Sequence, residues 1–179
     1  MYLTGDFTID LNGYTIWVER FDAWGEASIY SKAGHQTITD SQFDTDQRGC
    51  VSNGVNVCGG ELTLRNVEVP AARTDSGTLH IDQSDVDTIL AYGGETDVNE
   101  SSFRYADVED GTITFTNSRA TEKNGLSLNI HKGGDVTIDG ADTNIPGRIA
   151  ILGGELTIEQ GKFYNTEGTW LTQEGGNVT

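Results

Sequence analysis

The chain has 179 residues, enough to bury a full core as one domain without a metal or a set of disulfides to hold it together. Its 28 acidic residues against 11 basic ones leave a formal net charge of −17, a surface that repels phosphate backbones and anionic lipid and argues against nucleic-acid and membrane partners. Abundant Asp with only four lysines (Lys32, Lys123, Lys132 and Lys162) resembles the composition of a protein bathed in concentrated salt, where carboxylates stay hydrated and their repulsion is screened; an ordinary acidic protein is the alternative.

The opening "MYLTGDFTIDLNG" enters a strand pattern at once, with no basic region, apolar stretch or cleavage site, so no secretion signal is expected. No later run approaches the length of a membrane span. The longest insertion, "WVERFDAWGEASIY", offers Trp17, Arg20, Phe21 and Trp24 as candidate binding residues, because loop aromatics stack on sugar rings or anchor a protein partner. Capping of the first coil is the structural alternative for the same residues. The acidic stretch "FDTDQRG", with Asp44 and Asp46, lacks the remaining ligands of a standard Ca²⁺ loop, so no metal and no cofactor is assigned. Cys50 and Cys58 are spaced so that a small loop-closing disulfide is permitted but not required.

The phrase "GGELTLRNVEV" at 59–69 returns as "GGELTIEQGKF" at 153–163, and the recurrence has a phase. Strands open after Gly5, Gly34, Gly60, Gly77, Gly94, Gly111, Gly134, Gly154 and Gly176, at intervals of 29, 26, 17, 17, 17, 23, 20 and 22 residues. The second and fourth positions after each Gly are mostly apolar, as in Leu62 and Leu64 or Ile113 and Phe115, and define the inward face of a strand of period two. Gln36 and Thr96 stand in the same inward column, and the ninth position (Tyr14, Phe43, Val69, Val86, Phe103, Phe163) is also read as inward. The seventh is mostly small (Ser41, Ser84, Ser101, Ser118, Ala141, Gly161), as a stacked corner requires. A second strand precedes each Gly, and loops of different length enter between rungs while the strand phase is kept.

These features predict an all-β chain folded over residues 1–179 as a single right-handed parallel β-helix, a β-solenoid of about eight rungs. At about 4.8 Å per rung it would be a rod on the order of 40 Å long. "GDFTIDLNGYTI" resembles the first coil of pectate-lyase-like β-helices and viral tailspikes, and "TITDSQF" and "LTIEQGKF" resemble their later coils. The resemblance implies the architecture. It leaves function open, because the same coil serves polysaccharide lyases, hydrolases, tailspikes and adhesins.

On the outward side, the third position is a column of threonine interrupted by His80 and Asp97 on adjacent rungs, within reach of each other. Glu61, Arg65, Asp82, Glu95 and Asn99 fall on the same wall. If the protein is an enzyme, His80, Asp97, Asp82, Glu95 and Arg65 are the candidates for acid–base chemistry on a glycan; the alternative is a solvated ion-pair patch. The lyase members of the resembled group carry a Ca²⁺-binding carboxylate cluster with a catalytic Arg or Lys, a pattern that does not match residue by residue.

The expectation is a virion structural protein: a capsid decoration, turret or tailspike component assembled in the host cytoplasm of a salt-loving host. Its partners would be copies of itself in a ring or trimer, other virion proteins and a host-surface glycan. A polysaccharide lyase or glycoside hydrolase is the rival from another class, and a cell-surface adhesin is the third reading.

Overall fold

In the computed structural model, which describes residues 1–17, 29–42, 48–123, 125–163 and 170–179, every strand pairing is parallel and joins one coil to the next. The chain is a β-solenoid with three stacks of strands. One stack holds the strands that follow the phase-setting glycines, from Phe7–Asp10 and His35–Thr39 through Glu95–Asn99 and Thr112–Thr116 to Glu155–Ile158 and Asn177–Val178. The second, of short strands, runs from Thr15–Ile16 through Cys50–Val51 to Lys162–Phe163. The third holds the strands that precede each Gly, from Tyr2–Thr4 and Ile29–Ala33 to Arg148–Ile151 and Leu171–Gln173. Some strands bend through corners and serve more than one stack: Val55–Arg65 serves two and Glu68–Asp82 all three.

The register is the one set by the glycines. Leu62 pairs with Leu79, Leu79 with Thr96, Thr96 with Ile113 and Ile113 with Val136. Both inward side chains are buried in the strands that begin after Gly34, Gly60, Gly77, Gly94, Gly111 and Gly134. Outside these the packing opens: Phe7 and Val178 are exposed, and Ile9 and Ile158 are half-buried. The fully packed length is therefore about six turns rather than about eight, because the outermost coils have core neighbours on one side only. Each Leu, Ile or Phe sealed inside contributes roughly 1.5–3 kcal/mol relative to an exposed one. At the centre Phe103 and Phe115 stack with ring centroids 4.6 Å apart.

The glycines are required by close approach. A Cβ on Gly77 would lie 2.4 Å from the carbonyl oxygen of Gly60, and one on Gly94 would lie 2.4 Å from that of Gly77, at φ of +85° and +69°. Both the conformation and the contact penalise any side chain. Gly77→Ala is expected to lower stability by roughly 2 kcal/mol or more, read as a fall in the urea midpoint at unchanged m-value.

The polar members of the inward columns are satisfied. Gln36 donates to the carbonyls of Gly5 and Ala33, both at 2.6 Å, and accepts from the Ser31 hydroxyl; Thr74 and Thr96 bond each other at 2.9 Å. At the corner, Asn66, Gln83, Glu100 and Asn117 take left-handed conformations with φ of 48–53°. The next residue down the chain is Val67, Ser84, Ser101 or Ser118. The N–H of Val67 donates to Ser84 Oγ (3.1 Å), that of Ser84 to Ser101 Oγ (3.0 Å), that of Ser101 to Ser118 Oγ (3.2 Å) and that of Ser118 to Thr143 Oγ1 (3.4 Å). Small residues stand there because the corner is buried and its amides are bonded by hydroxyls of the adjacent coil.

The corner differs in the first two coils and the last two. Ser41, Ala141 and Gly161 are exposed. Tyr14 is 73% exposed rather than inward, because Asn12 and Gly13 turn the first coil later than the other corners and Leu11 fills the buried place. Phe163 is half-buried against Trp170, and Phe43 lies outside the described residues. In the second coil the place of the left-handed residue is taken by Asp40, 1% exposed. Its carboxylate accepts the backbone N–H groups of Gly13 (2.8 Å), Gln42 (3.0 Å) and Gly49 (2.5 Å). Burial pushes the Asp40 carboxyl up, but these three N–H groups outweigh it and hold it below the usual aspartate range.

Candidate functional site

Among the described residues, chemistry-bearing side chains cluster on the outside of each of the three stacks. On the stack that follows the glycines, parallel pairing of Asp97 with His80 and of Thr63 with His80 puts the imidazole between two carboxylates. His80 Nδ1 lies 3.1 Å from Asp97 Oδ2, and Nε2 lies 3.6 Å from Glu61 Oε1. Glu61 in turn meets His35 Nδ1 at 3.0 Å, so imidazoles and carboxylates alternate over four successive rungs. Arg65 reaches Asp82 at 3.4 Å beside them. His80 thus meets Asp97, and Arg65 and Asp82, which were expected only to share the wall, meet each other, with Glu95 exposed on the same strand as Asp97.

The wall is open. The side chains of His80 and Asp97 keep 32% and 51% of their surface in water, and the threonines of the same column are half-buried between neighbours except Thr8 and Thr179 in the outermost coils, which are exposed. Exposed pairs of this kind are worth about 0–1 kcal/mol. Replacing both His80 and Asp97 by Thr, which continues the threonine column, is expected to move the thermal midpoint by no more than a few degrees; calorimetry measures it.

The second cluster occupies the stack of short strands, where a cleft of about 430 Å³ runs over Val69, Val86 and Phe103 between Cys50, Glu68, Asp85, Asp87 and Arg104. Arg104 forks onto Asp87 with Nε–Oδ1 at 2.7 Å and Nη2–Oδ2 at 3.0 Å. This bidentate contact holds the Asp87 carboxyl below its ordinary range and the Arg104 guanidinium above its own. Arg48 reaches Asp85 at 2.5 Å, and the Ser102 hydroxyl also donates to Asp85.

The third cluster lies on the strands that precede each Gly. Arg73 bonds Asp75 (Nε–Oδ1 2.6 Å) and places its guanidinium 4.6 Å from the centre of the Tyr92 ring, a cation–π contact. Asn56 donates to the same Asp75 at 2.9 Å. Further along, Asp107 Oδ1 accepts from Asn129 Nδ2 at 2.9 Å and lies 3.0 Å from His131 Nε2, with Glu109 alongside. Burial, and then the Asp107 carboxylate, push the Tyr105 phenol up to about 12; burial, Asp107 and Glu109 raise Tyr92 as well. The negative potential of this face is thus registered by both neighbouring phenols.

Sequence reasoning missed this third cluster. The signal was Asp107 and Glu109 at alternate positions before Gly111, with His131 before Gly134. One extra residue between His131 and its Gly put the histidine out of phase with Glu109 when rungs were aligned on glycine alone, whereas the strands pair Asp107 with Asn129.

Of the loop residues expected to bind, Trp17 is 79% exposed at the edge of the first coil, and Arg20, Phe21 and Trp24 lie outside the described residues, as do Asp44 and Asp46. Cys50 and Cys58 are free thiols in different stacks. Burial raises both above the usual thiol range, with Glu68 adding to the shift at Cys50 and Asp75 at Cys58. No family model matches this chain, and neither a curated protein nor a solved structure matches it.

Proposed function

We propose that the chain is a structural protein, a stiff β-solenoid that forms part of a virion surface as a capsid decoration, turret or tailspike component and contributes to attachment. The observation that carries this reading is where the wall side chains spend their charge: from coil to coil. His35 to Glu61, Glu61 to His80, His80 to Asp97, Arg65 to Asp82 and Arg104 to Asp87 each run from one turn to the next, so the outer charges are paired along the rod. Open pairs of this kind, with His80 and Asp97 32% and 51% exposed, suit a rod that spaces its partners better than a reaction shielded from water. The finer virion assignment rests on the high acidic charge and on the tailspike-like opening phrase.

A cell-surface adhesin is the second reading, favoured by the open cleft over Phe103. Val69, Val86 and Phe103 beneath it are sealed into the core, so its carboxylate–guanidinium rim is the part that suits a saccharide's hydroxyls. Incubating the protein with a panel of polysaccharides is expected to yield complexes by co-sedimentation and no new reducing or unsaturated ends. Cleavage of any of them would overturn the structural reading in favour of a lyase or hydrolase. Antibodies to the chain should decorate particles under the virion reading and cell envelopes under the adhesin reading.

A further inference from the structure

The geometry points to a divalent transition-metal site formed by Asp107, Glu109 and His131. One donor atom from each residue lies within 4.8 Å of the other two. The three come from adjacent coils that the backbone fixes side by side: Ala106, Asp107 and Val108 pair with Leu128, Asn129 and Ile130, and the His131 N–H donates to the Val108 carbonyl at 2.8 Å. Asp107 and Glu109 are two residues apart on the outward side, and His131 stands on the next coil in the row that contains Glu109.

The distances suit an ion. His131 Nε2 and Asp107 Oδ1 are 3.0 Å apart. Two ligands each about 2.1 Å from one tetrahedral metal stand about 3.4 Å apart, so the pair needs to open by only a few tenths of an ångström to hold one. With Nε2 also 2.7 Å from Asn129 Nδ2, the imidazole is surrounded by an amide and a carboxylate that both address the same nitrogen. A cation there takes the Nε2 lone pair that the Asn129 amide now faces and shares Oδ1 with that amide. Asn129, donating to Asp107 Oδ1, is the positioning residue for the carboxylate.

Charge and donor type define the class. Two carboxylates supply two negative charges to a doubly charged ion. An imidazole with two carboxylates favours Zn²⁺, Co²⁺ or Mn²⁺ over Ca²⁺, which takes six to eight oxygens. Three protein ligands leave positions for water or for an oxygen of a bound ligand. The site is independent of whether the rod belongs to a virion or to a cell surface.

The test is calorimetric titration of the chelator-stripped full chain with Zn²⁺, and separately with Ca²⁺, supported by the visible spectrum of the Co²⁺ form. One Zn²⁺ per chain is expected, with affinity falling at least ~10-fold in Glu109→Gln and His131→Ala and unchanged in His80→Ala. Circular dichroism establishes that each variant is folded. Co²⁺ bands that vanish in His131→Ala would place the imidazole on the metal. Absence of Zn²⁺ binding, equal binding of Ca²⁺, or Zn²⁺ binding that survives both substitutions would overturn the proposal.

Discussion

Replacing Asp40 by Ala is expected to destabilise the protein by roughly 3–5 kcal/mol, the largest single-residue effect outside the apolar core. The carboxylate is almost wholly buried and takes the amides of Gly13 in the first coil and of Gln42 and Gly49 in the second. Removing it leaves the buried Gly49 amide without its acceptor, at a cost of about 1–3 kcal/mol, and takes charge-assisted bonds from the more accessible amides of Gly13 and Gln42 as well. Urea titration should show the fall in midpoint, and Asp40→Asn should fall between Ala and the parent because it keeps one acceptor oxygen. The pH dependence has a definite sign. A carboxyl held below its ordinary value when folded contributes stability that is fully present above the unfolded value, about 3.9, and is lost as pH falls through the folded value. The acid limb of the stability curve should therefore be steeper in the parent than in Asp40→Asn.

The second large effect is on association. At −17 per chain, bringing copies together concentrates like charge, and the Debye length of about 30 Å at 0.01 M but about 3 Å at 1 M decides whether that repulsion is felt. Burial of apolar surface does not weaken with salt in the same way. The first coil presents Tyr2 (66% exposed), Phe7, Tyr14 and Trp17 to solvent, a set of aromatic side chains large enough to drive contact once the charge is screened. Light scattering across an ionic-strength series is expected to show a ring or trimer in molar salt and dissociation in dilute buffer. A monomer at every salt concentration would remove the main support for a self-assembling virion component.

The middle of the solenoid was legible because three successive intervals of 17 residues keep every column in phase: Leu62, Leu79, Thr96 and Ile113 are buried as the period requires, and so are Ser84, Ser101 and Ser118. The ends were less so. Tyr14 was read as inward on the ninth position, but a corner turned by Asn12 and Gly13 shifts the phase, and a period-two argument changes face with each residue of shift. Asp40 offered no local signal, since a buried carboxylate is recognisable only once the amides that approach it from Gly13 and Gly49 are placed. The His80 and Asp97 wall was visible because both sit at the same offset from glycine. Asp107, Glu109 and His131 escaped because the connection before Gly134 is longer by one residue, and only the pairing of strands restores the alignment.

The hydroxyl column at the corner gives the rod a polarity. Each amide from Val67 to Ser118 donates toward the coil that follows in sequence, while Ser84, Ser101 and Ser118 return their own hydroxyl protons to the carbonyls of Asp82, Asn99 and Thr116. A coil added in the reversed sense would present amide to amide, so any extension of the stack has to run head to tail. Because Gly60, Gly77, Gly94 and Gly111 are evenly spaced, removing or duplicating one 17-residue turn between them would return every glycine, serine and core residue to an equivalent neighbour. The length of the rod is quantised in whole turns. Insertions and losses that respect the quantum change its reach while leaving its cross-section the same.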